Sequence, residues 1–383
     1  MNQRNIAIDI FRGLTVALMV CVNDFWAVYD VPHFLEHFAV MEDGMGLSDI
    51  IYPMFLFAMG MSVPLALERR LGRGEGLAST LRHIFGRTLA LLLMGSFIVN
   101  SETGMAWNHG FFWLLMVVGF FLVWNDYPAD SRLKKPLRIA GTLLLVGLAI
   151  AFRSPDGGLF RTSWWGILGQ IGWMYLFSAF AYILCRERWW MLGILWLAFV
   201  LVNISVVPMR SGQVLLAGNY LADFSDALHL GNGHSIIMAL GGMVCVLAGR
   251  KLRRNQLATG FAAAAVLALL ATLTHRWWII SKGLGTLPWC LYVSAISVAL
   301  YTLFRALEKK GLTAWARPID PAGKATLTVY MLPYFFYSFW ALFAIAVPQW
   351  MTGWVGVAKS ALFSAICIAT AWVLGKLGVK LKI

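Results

Sequence analysis

Twelve predominantly apolar stretches recur along this chain, each near the roughly 20 residues that a helix needs to cross a bilayer. They run over 9–28, 48–67, 83–100, 107–125, 137–153, 164–185, 189–207, 234–249, 258–279, 286–305, 324–346 and 354–376. Hydrophobic residues make up 60% of the 383 and charged residues only 13%, against about 45–50% and 25% in globular proteins. A water-soluble fold could not bury that much Leu, Phe and Trp. A soluble enzyme, a disordered chain and a secreted disulfide scaffold are therefore excluded. The expected fold is an all-α, polytopic transmembrane bundle of about 10–12 spanning helices, forming one membrane domain over 1–383.

The formal net charge of +13 would suit a nucleic-acid ligand if the basic residues were clustered on one surface. They instead alternate with the apolar stretches. With the N-terminus inside, 25 of the 31 Lys and Arg fall on inner segments, and only Arg153, Arg161, Arg210, Arg276, Lys282 and Lys359 do not. Basic residues stay on the cytoplasmic side, so both termini are expected inside. The charge then reads as an orientation signal and a contact for membrane lipid, and no nucleic acid is needed. The five cysteines (Cys21, Cys185, Cys245, Cys290 and Cys367) lie singly, with no CxxC or metal spacing, and read as packed thiols. The first apolar stretch, from about Ile8, runs past signal-peptide length without a small-residue cleavage site, and reads as a retained helix.

Polar groups are costly in a bilayer and so point to function. The densest run is Val22–Asp49, which holds Asn23, Asp24, Asp30, His33, Glu36, His37, Glu42, Asp43, Ser48 and Asp49 without any Lys or Arg. Ser48-Asp49 reads as the N-cap of the second helix. Six of the seven histidines (His33, His37, His109, His229, His234 and His275) fall on or near the outer side, and only His83 inside. Imidazole beside carboxylate is the usual composition of a general base. The alternative is that these histidines cap helices or sit at headgroup level. His33, His37 and Asp49 could ligate a metal, but His-x3-His with nearby acids is a weak pattern, and no metal is expected.

GxxxxGK[ST], GxSxG and HExxH are missing. The Gly60-Met61-Ser62 run reads as a place of close helix packing. The pairs Trp164-Trp165, Trp189-Trp190 and Trp277-Trp278 stand at span ends, as an interfacial belt does; the outer pairs could also stack on a sugar.

A set of segments is more specific: Asp9-Ile-Phe-Arg-Gly-Leu-Thr15, then Val22-Asn23, Glu36-His37, and Gly46-Leu-Ser-Asp49-Ile-Ile-Tyr-Pro53-Met-Phe-Leu-Phe-Ala-Met-Gly60. In this order they resemble the heparan-alpha-glucosaminide N-acetyltransferase-like family of polytopic membrane acyltransferases, most specifically over residues 1–70. Weaker matches are Gly166–Leu176, Ser281-Lys282-Gly-Leu-Gly-Thr286 and Pro321–Tyr330. The resemblance implies transfer of acetyl from acetyl-CoA to an amino sugar or glycan acceptor, and the compact length suits a multi-pass member of a bacterial inner membrane. The family's active-site asparagine matches Asn23. Its histidine matches His37 best, with His33 as the possible equivalent.

On this reading His37 takes a proton from the acceptor or carries the acetyl group transiently. Asn23 donates to the thioester oxygen, and Asp24 or Glu36 orients the imidazole. Asp49, Glu36, His229 and His234 are candidate acceptor-binding residues. The anionic donor would be held by Arg12, Arg87 and Lys324 if it threads outward, or by Arg276 and Lys282 if it docks from outside. A homodimer is possible. Two other classes fit the same chain: a proton-coupled amino-sugar transporter using Asp24 and His37, and a membrane subunit without chemistry of its own.

Overall fold

Inside a bilayer every backbone N–H and C=O must be bonded within the segment, which leaves an apolar stretch of spanning length only the helix. The computed structural model describes residues 5–128, 130–216, 220–251 and 255–383, so Arg4, Arg253 and Arg254 of the basic residues lie outside the described residues. Each of the twelve apolar stretches is a helix: α1 Ile6–Asn23, α2 Leu47–Gly72, α3 Leu77–Glu102, α4 His109–Trp124, α5 Lys134–Ala151, α6 Ile167–Cys185, α7 Trp189–Val206, α9 His234–Lys251, α10 Gln256–Thr274, α11 Leu287–Lys309, α13 Thr326–Leu342 and α14 Gly353–Lys376. Two short helices are additional: α8 Tyr220–Ala227, inside the outer connection, and α12 Asp320–Lys324. Among the described residues eight helices are long and apolar enough to cross a membrane. α4 is apolar but has 16 residues, and α5 opens on Lys134, Lys135 and Arg138.

The helix boundaries differ from the apolar runs where caps intervene. α10 ends at Thr274, with His275 as its C-cap, so Trp277 and Trp278 stand beyond the helix. α2 begins at Leu47 with Gly46 as N-cap. Ser48 is therefore not the cap expected from the sequence; its hydroxyl donates to the Leu35 carbonyl at 2.6 Å. The capping oxygen belongs to Asp49, which accepts from the Gly46 amide at 3.1 Å.

The chain divides into two units. The first comprises 1–15, 32–85 and 173–317. Its central crossing is α2 on α9, made with glycines on both sides. A Cβ at Gly60 would lie 1.9 Å from the Ala239 carbonyl oxygen, and one at Gly242 2.1 Å from that of Phe57. This bears out the packing role read for Gly60. At one end of this pair, Arg250 on α9 donates to both oxygens of Glu68 on α2, at 2.7 and 2.8 Å, and Tyr182 on α6 donates to Glu68 at 3.1 Å.

The second unit comprises 16–31, 86–172 and 318–383. α4 lies on α5 through Gly119 and Gly141, whose absent Cβ atoms would meet Leu145 and Leu122 at 2.7 and 2.6 Å. α13 crosses α4 at Gly110, where a Cβ would lie 2.7 Å from the Ser338 carbonyl oxygen.

The split of basic residues fixes the expected orientation, with 69–82 inside and 29–47 outside. Cysteines introduced into 29–47 should react with an impermeant thiol reagent in intact cells, and those in 69–82 only after permeabilisation. The reverse pattern would overturn the orientation.

Candidate active site

The loop between α1 and α2 is shaped by short-range polar bonds in the first unit. Pro32 precedes a single 3-10 turn over His33–Leu35. Gly46 is required at the loop's end, because a Cβ there would lie 2.0 Å from the Glu36 carbonyl oxygen. Asp49, in the first turn of α2 and 2% exposed, gathers the loop around its carboxylate. Its Oδ2 accepts from the amides of Phe38 (3.0 Å) and Gly46 (3.1 Å), and its Oδ1 lies 2.7 Å from His37 Nδ1. A carboxylate can only accept. With Nδ1 donating to Asp49, the neutral form of the ring leaves Nε2 to accept, and the side chain is 55% exposed.

Lys282 completes this group. Its Nζ lies 3.2 Å from His37 Nδ1, 3.8 Å from Asp49 Oδ1, and 3.4 Å from the Ser48 carbonyl to which it donates. Burial pulls the Lys282 pKa below its usual 10.5, against the attraction of Asp49. One buried carboxylate thus takes a hydrogen bond from Nδ1–H and an ion pair from the Lys282 ammonium.

The Ser281–Thr286 segment that holds Lys282 is anchored from several sides. Ser281 Oγ donates to the Val40 carbonyl at 2.6 Å and accepts from the Leu284 amide at 3.2 Å. Asn203, fully buried, donates to the carbonyls of Gly285 (2.8 Å) and Asn232 (3.0 Å). Asn232 donates to the Leu284 carbonyl at 2.7 Å. Gly285 has φ of +60° and sits against His234, whose Nδ1 would be 2.8 Å from a Cβ. Both the backbone conformation and the space call for glycine.

A second polar cluster straps the same two loops together. Asp43 accepts from the Ile280 amide at 2.8 Å and from His275 Nε2 at 2.8 Å, and pairs with Arg210; the Gly44 amide donates to the Ile280 carbonyl at 2.9 Å. Burial works against the Asp43 carboxylate, but the bonds from Ile280, His275 and Arg210 outweigh it and hold its pKa below 3.8. A depressed folded-state value means that the strap stabilises the fold above the unfolded-state pKa and loses that contribution as pH falls through the lower folded value. The stability gap between wild type and Asp43→Asn should therefore shrink below about pH 4. Thermal melts across that range check it.

The other candidates have separate surroundings. His33 pairs with Glu42 at 2.6 Å and stacks on Phe38 with ring centroids 4.2 Å apart. Glu36 lies in the turn before His37. His229 packs on the Trp173 ring at 4.8 Å, and His234 lies 2.5 Å from Asn232 Oδ1 and 5.9 Å from the Trp289 ring centroid. Arg12 pairs with Asp9 at 3.5 Å, and Arg276 is exposed. Among the described residues no group of three His, Cys, Asp or Glu could hold a metal.

In the second unit Asn23 ends α1 with an exposed side chain, and Arg87 lies on α3. Asp24, fully buried, accepts from Tyr337 (2.9 Å), Lys359 (2.6 Å) and Ser360 (2.7 Å). The carboxylate on the His37 ring is thus Asp49, whereas Asp24 is engaged by α13 and α14. Asp43, Arg210 and His275 were not singled out by the sequence as a group. Their signals were separate: Asp43 in an acidic loop, Arg210 among the six basic residues off the inner side, and His275 among the outer histidines.

Together these features define a polytopic membrane protein with an exposed imidazole oriented by a buried carboxylate. A family model described as the catalytic region of heparan-alpha-glucosaminide N-acetyltransferase matches residues 4–112, the stretch that contributes Asn23, His37 and Asp49. Two relatives carry that enzyme's name. The mouse protein is 28% identical over 140 residues, covering 33% of this chain and 21% of its own length. The human protein is 33% identical over 96 residues, covering 25% of this chain and 14% of its own. Over residues 4–112, then, the chain is similar to the catalytic region of this family, and it spans only a minor part of the curated relatives it matches.

Proposed function

We propose that this chain is a membrane-embedded acyltransferase of a bacterial inner membrane, moving an acetyl group from acetyl-CoA to an amino sugar or glycan at the outer side. The observation that supports it most is the His37 ring, whose Nδ1 is tied to buried Asp49 at 2.7 Å while the rest of the imidazole is exposed. In such a pair the ring is held in one tautomer and the imidazolium that forms is stabilised. His37 Nε2 takes the proton from the acceptor nitrogen as that nitrogen attacks the thioester carbonyl. A C–N bond forms, the C–S bond breaks, and the proton passes from Nε2 to the departing thiolate. The Lys282 charge is engaged by Asp49, so donor phosphates fall to other basic groups, with Arg276 the exposed candidate in the same unit. Asn23 keeps the role that its match to the family motif implies, hydrogen bonding to the thioester oxygen. Asn23→Ala is expected to cost about two to three powers of ten in transfer rate.

Purified protein mixed with acetyl-CoA should release free thiol only when an amino sugar is added. A buried intramembrane pair such as Asp24–Lys359 also suits proton-coupled transport. Counterflow of labelled, unmodified amino sugar into liposomes without thiol release would replace the enzyme reading with that one.

A further inference from the structure

In the first unit, α7, α9, α10 and α11 line a cleft of about 420 Å³, within the roughly 300–1,000 Å³ of ligand sites. Its walls are carved by residues without side chains: a Cβ added at Gly193 on α7 or Gly249 on α9 would meet nothing within 4 Å. Its lining is mainly apolar, and its charged members, Arg250 and Arg305, lie near the ends of α9 and α11 beside Asn5, Gln256 and Tyr301. α10 rests on α11 and is otherwise open, with 11% of its apolar window buried, so the cleft gives sideways onto the surroundings of a spanning helix, which are lipid.

We propose that this cleft holds one anionic glycerophospholipid, its phosphate at Arg250 and Arg305 and one acyl chain along α9 and α10. Three observations support it. The depth fits: nine residues of α9 separate Arg250 from Gly241, about 13 Å of helix rise, close to the roughly 15 Å of hydrocarbon in one leaflet. The donors fit: Arg250 pairs with Glu68 and Arg305 with Glu308 at 2.6 Å, each through Nη1, and each guanidinium has further N–H groups that can donate to a phosphate. Lys251 follows at the same helix end. Basic pockets between spanning helices bind anionic headgroups. The interior also suits an acyl chain, because most of its lining is apolar.

The test is native mass spectrometry of the full-length protein, delipidated in detergent and titrated with phosphatidylglycerol or phosphatidylcholine of identical chains. Wild type should retain one phosphatidylglycerol in preference to phosphatidylcholine. Arg305→Gln should cut that preference about fivefold, the worth of one arginine at an anionic headgroup. Gly193→Phe should fill the cleft and abolish retention of the lipid while leaving both arginines in place. Gly249→Leu serves the same end if Gly193→Phe does not fold. Equal retention of the two lipids by wild type, unchanged retention in the filled variant, or one-for-one displacement of phosphatidylglycerol by acetyl-CoA would each overturn the assignment.

Discussion

Asp49→Asn should lower acetyl transfer by about two to four powers of ten while the protein still folds, because the amide keeps one acceptor but reverses what faces the ring. In the wild type, Asp49 Oδ2 caps α2 through Gly46 and holds the Phe38 amide, and Oδ1 holds His37 Nδ1. Asparagine can preserve the two backbone bonds with its oxygen. Its NH2 then points at the imidazole, and a donor there selects the tautomer with the proton on Nε2, the wrong nitrogen for taking one from the acceptor. Asp49→Ala is a different experiment. It leaves the amides of Phe38 and Gly46 without their acceptor and Lys282 without its carboxylate, and loss of a capping oxygen costs about 0.5–2 kcal/mol. Steady-state rates of both variants, with thermal melts alongside, separate the chemical effect from the structural one.

The second large effect is at His37 itself. His37→Ala should cost about two to four powers of ten in turnover, the worth of a positioned proton carrier, with little loss of stability. The ring is half exposed, and its removal leaves Asp49 still bonded to the amides of Phe38 and Gly46 and close to Lys282 at 3.8 Å. Exogenous imidazole should restore part of the rate in His37→Ala and none in Asp49→Ala, whose loop has lost its anchor.

The helices were legible because hydrocarbon length and backbone hydrogen bonding admit a single solution, and all twelve apolar runs became helices. α8 and α12, at eight and five residues, carry no hydropathy signal and were not. His37 and Asp49 were each named from one acidic run, His37 as the base and Asp49 as an acceptor-binding residue, but their pairing was not. The remainder depends on tertiary closure. Lys282 reaches His37 across 245 residues, and His275 reaches Asp43 across 232. No local pattern encodes such a pairing. Assigning Asp24 to the imidazole followed from nearness along the chain, whereas its buried carboxylate answers to Lys359 and Tyr337, more than 300 residues away.

His33 and His37 offer the most direct test of the central claim, since the sequence admits either as the base. His33 bonds to Glu42, whose side chain is 38% exposed, while the Asp49 side chain on His37 is 2% exposed. Acceptor-dependent thiol release from acetyl-CoA should be measured for His33→Ala and His37→Ala side by side, at equal folded concentration. The expected result is near wild-type release from His33→Ala and almost none from His37→Ala. Loss in His33→Ala with retention in His37→Ala would contradict the assignment of the Asp49-held imidazole as the reacting group.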